Sequence, residues 1–92
     1  MRFIVISKQV QGLTAEQTAT LYTRMAQFYE NIPSDVILEA DYIRLDKLGS
    51  YSILDVPNRE VMNTIMAPFN ELVSAEIIEL EPRLTQSATK MR

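Results

Sequence analysis

Residues 2 to 7, RFIVIS, are apolar on both parities, with Phe3 and Val5 on one side of an extended segment and Ile4 and Ile6 on the other. The pattern predicts a strand buried on two faces. After Gly12, the run Leu13-Thr14-Ala15-Glu16-Gln17 carries a helix start: Thr14 stands as N-cap, Gln17 completes a capping box, and Glu16 adds favourable charge to the first turn. Leu21, Met25, Phe28 and Ile32 then fall at helical spacing along one face until Pro33. A helix of about 14 to 17 residues follows.

Val36 to Leu45 reads as a second strand, with Val36, Leu38, Ala40 and Tyr42 on one parity and Ile37, Glu39, Asp41, Ile43 and Leu45 on the other. Asp46-Lys47-Leu48-Gly49 supplies a turn-opening aspartate and a glycine able to take positive φ, a hairpin signal, and Tyr51 to Val56 is the antiparallel return. Asn58 caps a short helix through Val61, Met62, Ile65 and Met66, which Pro68 stops. Val73 to Glu81 forms the last strand, with Ile77 and Ile78 on opposite faces.

The order β-α-β-β-α-β is the split βαβ arrangement of the ferredoxin-like fold, an α+β class with a four-stranded antiparallel sheet. Both helices cover one sheet face in that architecture. The other face would expose apolar side chains of the first and last strands, a pattern that marks an association surface. Face-to-face pairing of two sheets, giving a dimeric α+β barrel with a cavity between them, is the expected assembly. The partner expected is therefore a second copy, as homodimer or higher homo-oligomer.

The chain has 92 residues and 47% hydrophobic content, with no cysteine and no histidine. A chain of this size buries roughly two-thirds of its unfolded surface, enough for one core with a thin margin. The missing cysteine and histidine remove disulfides, zinc fingers, iron-sulfur ligation, thiol nucleophiles and the usual general base. Residues 1–82 carry six bases against twelve acids, a net −6, and residues 83–92 carry three bases and no acid. The sequence thus divides into an α+β domain over 1–82 and a basic C-terminal tail over 83–92, expected to be flexible. An acidic body argues against nucleic acid. The longest apolar run, Phe3 to Ile6, is too short for a membrane span or a signal core, so a cytoplasmic location is expected.

The opening MRFIVISK, the entry GLTAEQ, the hairpin EADYIRLDKLG, SILDV, the helix stop APF and the final IIELEP resemble the muconolactone-isomerase-like group of the dimeric α+β barrel superfamily. The resemblance covers residues 1 to 82. It implies a small-molecule pocket between or beside the sheets, and assembly as dimers or larger rings. Enzymes of the group rely on acid-base side chains, histidine often among them, and this chain has none.

Chemistry must then come from polar side chains on apolar strands. Glu39 and Asp41 stand two apart and should project from one face. Sharing a cavity, they would raise at least one carboxyl pKa and supply a proton carrier for abstraction beside a carbonyl. The competing reading places them at a strand end or in ion pairs with Arg44 or Arg2. Tyr42 and Tyr51 are candidate ligand-binding hydroxyls for an oxyanion, or else core or interface residues. No cofactor or metal is expected: the two isolated glycines make no phosphate loop, and Glu39, Asp41, Glu76 and Glu79 lack EF-hand spacing. Met25, Met62 and Met66 read as packing on helical stripes.

Two functions fit. One is a small-molecule pocket protein, an isomerase- or monooxygenase-like enzyme without metal or bound cofactor. The other is a non-catalytic assembly or regulatory module that uses the fold to dimerise.

Overall fold

In the computed structural model, which describes residues 1–83, the chain runs β1 (Arg2–Gln9), α1 (Ala15–Glu30), β2 (Ile37–Ile43), β3 (Gly49–Asp55), α2 (Arg59–Met66) and β4 (Val73–Leu80). A 3-10 turn over Ala67–Phe69 follows α2. The strands form one antiparallel sheet in the order β2-β3-β1-β4. The fold is α+β and ferredoxin-like, with β1 in the middle against β3 and β4. Of the basic tail over 83–92, all but Arg83 lies outside the described residues. No described helix is long and apolar enough to cross a membrane.

Local chemistry explains the element ends. The Thr14 hydroxyl accepts from the Gln17 N–H at 3.1 Å, and the Gln17 side-chain oxygen accepts from the Thr14 N–H at 2.9 Å. That reciprocal box starts α1 and is worth about 1 kcal/mol. Asn58 Oδ1 accepts from the Val61 N–H at 3.0 Å to start α2, and Pro68 sits in the 3-10 turn that ends it.

The β2–β3 turn differs from the sequence reading. Lys47, at φ 65°, adopts the positive φ, while Gly49 does not. Asp46 Oδ1 accepts from the Leu48 N–H, which shapes the turn and draws the Asp46 carboxyl below its usual pKa, with Arg44 assisting. Gly49 answers a different need. It opens β3 beside Lys8, where a Cβ would stand 2.5 Å from the Ser7 carbonyl oxygen.

Phe3, Val5, Leu54 and Val56 from the sheet, Val36 from the loop before β2, and Met62 and Met66 from α2 form the core, with Phe28, Ile32 and Leu38 packed against it. Phe3 and Met62 are fully buried. Each such side chain contributes about 1.5–3 kcal/mol by leaving water. Every second residue of β1 therefore points at the helices, and Arg2, Ile4, Ile6 and Lys8 point the other way. The register places Ile53 and Ile78 on either side of Ile4, with Tyr51 beside Ile6. This bare face continues through Ile37 and Tyr42 of β2, which are 58% and 69% exposed.

A β-bulge interrupts β2. Leu38 pairs with Leu54 and Ala40 with Ile53, so Glu39 is an extra residue without its own partner. Beyond it Asp41 pairs with Ser52 and Ile43 with Ser50. One extra residue reverses the facing of everything that follows. Leu38, Asp41 and Ile43 consequently share the helix-covered side.

Candidate functional site

A cavity of about 460 Å³ lies between the helices and the sheet. Its floor is apolar and buried: Val5, Leu21, Leu54, Met62 and Met66. Met25 and Phe28 of α1 and Phe69 of the 3-10 turn continue the wall, so that three of the five methionines of the chain line it. Volume and lining fall in the range of small-molecule sites. A cavity between two sheets would need a second copy; the one within the chain is on the opposite side of the sheet.

Polar groups gather toward the edge strand β2. The inward positions of the strands hold Val5 then Ser7 on β1, and Leu54, Ser52 and Ser50 on β3, so the lining turns from apolar to hydroxylic along the sheet. Asp41 faces Ser52 across the ladder and accepts its hydroxyl at 2.8 Å on Oδ1. Tyr29, near the C-terminal end of α1, donates its phenol to Asp41 Oδ2. The Tyr29 ring packs edge-on against Phe28, with centroids 5.6 Å apart.

Burial, the hydrogen bond to Asp41 and that carboxylate's charge together push the Tyr29 pKa up to about 12. The phenol thus stays a donor throughout the physiological range. Asp41 and Tyr29 are both exposed at the mouth of the cavity, whereas the floor is closed. Among the described residues, no lysine or arginine lines this cavity and no salt bridge involves Asp41.

The family model of the domain of unknown function DUF3303 matches residues 1–80. The chain belongs to this family. The match spans every strand and helix of the DUF3303 fold described above. A search of curated proteins gave no match.

Within this DUF3303 domain the four side chains singled out by sequence separate. Asp41 lines the cavity; Glu39 does not. Glu39 lies on the opposite side, where both of its oxygens take hydrogen bonds of 2.8–3.0 Å from Arg2, and the bulge turns Asp41 to the cavity side. That hydrogen bond, with the carboxylate's charge, raises the Arg2 pKa above its usual value. The expectation of one shared face therefore fails at Glu39. Its pairing with Arg2 is the ion-pair alternative. Tyr42 and Tyr51 pair across β2–β3 on the bare face and do not line the cavity.

Tyr29, Ser52, Ser50 and Ser7 are the residues that sequence reading passed over. Tyr29 lies four residues after Met25, at the border of the apolar stripe, and the serines occupy inward positions of apolar strands. Among the described residues no three Asp or Glu side chains gather as a metal set. Glu79 instead lies 3.6 Å from Arg59, which also stacks over Phe3.

Proposed function

We propose that this chain is a homo-oligomeric small-molecule pocket protein of the muconolactone-isomerase-like kind, whose cavity supports acid-base chemistry without a metal or bound cofactor. The observation that carries the reading is the hydrogen-bonded Asp41–Tyr29–Ser52 cluster at the mouth of an otherwise apolar cavity. A few fixed polar groups converging on an apolar pocket suit binding and orientation of one small ligand. Asp41 is the base for a proton beside a carbonyl, and Tyr29 and Ser52 hold the carboxylate in place. Ser7 and Ser50 offer further hydroxyls to a carbonyl oxygen.

The test follows deuterium incorporation into a panel of small cyclic ketones, lactones and quinones by proton NMR in deuterium oxide. The wild-type chain should catalyse exchange beside the carbonyl of at least one compound. Asp41→Asn should slow it by about 100-fold or more, while Glu39→Gln leaves it unchanged. Cavity binding without exchange across the panel would defeat the catalytic reading in favour of a non-catalytic module. The bare sheet face, with Ile37, Tyr42, Tyr51 and Ile78 exposed, supports self-association in either case.

A further inference from the structure

Charge distribution around the cavity narrows what can occupy it. Among the described residues, Asp41 is the one carboxyl that lines it, and no lysine or arginine does. The carboxylate accepts two hydroxyls, from Tyr29 and Ser52, but neither neutralises it. Two oxygens offer about four lone-pair positions, so acceptor capacity remains. The four salt bridges among the described residues lie elsewhere, and residues 1–82 are net negative. An acidic ligand would bring a second negative charge to within a few ångströms of Asp41 with no cation among the described lining residues to offset it.

A cationic head group meets the opposite situation. It would reach the mouth, where Asp41 is exposed and desolvation is small, while the rest of the molecule lies on Leu21, Leu54 and the methionines. Tyr29 and Phe28 line the same wall, and aromatic rings attract cations. We propose that the cavity binds apolar molecules carrying a proton-donating head group, a protonated amine above all, with the head on Asp41 and the body on the buried floor, and that it rejects acids. This rests on reading the cavity as the ligand site and not on Asp41 as a base, since a cationic head seated on that carboxylate would occupy it. It goes beyond that reading by fixing the ligand's charge and orientation.

A matched series separates the two. 4-Phenylbutylamine, 4-phenylbutanol and 4-phenylbutanoate share one apolar body and differ in the head group. Each is titrated into labelled protein near neutral pH at moderate salt, following methyl resonances of the cavity floor by NMR. The amine should bind at least tenfold more tightly than the alcohol, and the carboxylate more weakly than either. Asp41→Asn, which keeps the side chain's shape, should bring amine and alcohol to equal affinity. Glu60→Gln, a charge removed from an exposed position of α2, should leave the preference intact, separating Asp41 from the general field of the acidic body. Tyr29→Phe, which frees an acceptor on Asp41, should keep or strengthen the preference.

Equal or tighter binding of the carboxylate, or an amine preference that survives Asp41→Asn, overturns the charge inference and leaves the pocket standing. Failure of all three compounds to shift the floor methyls overturns both.

Discussion

Tyr29 is the residue on which the site's electrostatics converge. Its phenol is held by Asp41 and its pKa is pushed up to about 12 from the usual 10, with burial the largest cause. A raised pKa means that the folded chain keeps this proton to higher pH than the unfolded chain does. The associated stability is therefore fully present below about pH 10 and is lost as pH rises towards 12. Ultraviolet titration of tyrosinate should find a late step near the top of that window. Tyr29→Phe should remove the late step, and Asp41→Asn should move it down. A late step that survives Tyr29→Phe would assign the shift to another ring. Sequence reading gave this tyrosine no role because a residue beside the apolar stripe has no partner until the sheet is folded beneath it. Asp41, by contrast, stood out as a carboxylate on an apolar strand.

At the scale of elements, the helices were legible and the second strand was only partly so. Thr14, Gln17, Asn58, Pro33 and Pro68 act through bonds or clashes with near neighbours, and such signals survive without tertiary context. The bulge at Glu39 is different. Nothing local requires it; it exists because β3 pairs with Leu38 on one side and Ala40 on the other. Simple alternation therefore placed Asp41 beside Glu39 and assigned Tyr42, in truth on the bare face, to the parity of Leu38. The turn was misread for a similar reason. Gly49 is required by the Ser7 carbonyl of a distant strand, which a sequence window does not contain. The bulge makes a counterintuitive prediction. Deleting Glu39 should leave a regular ladder in which Leu38 and Asp41 keep their present partners, since each pairing is set by β3. The deletion variant should fold, losing only the exposed Arg2 pair, and Tyr29 should still titrate late. Recovery of an ordinary Tyr29 titration in the deletion variant would show that Asp41 had turned away.

For the whole molecule, the sheet separates two surfaces of different chemistry, a hydroxyl-edged cavity under the helices and a bare face behind with an apolar centre at Ile4, Ile53 and Ile78. Ile4 and Val5 are neighbours that report on opposite sides. Light scattering at micromolar concentration should give at least twice the 10.5 kDa of one chain. Ile4→Glu, which sets a charge between Ile53 and Ile78, should yield a folded monomer. Val5→Glu should unfold the chain, at a cost of several kcal/mol for an unpaired charge in the core. A wild-type monomer would remove the case for sheet-to-sheet assembly while leaving the cavity untouched. The cavity wall carries a consequence of its own. Met25, Met62 and Met66 are unbranched thioethers with several rotatable bonds, so the floor yields to the shape placed on it, whereas the mouth is pinned by the Asp41 hydrogen bonds. For the ligand site proposed above, such a division would make the head group exacting and the body lenient. A site of that kind would then take a homologous series of compounds rather than a single one.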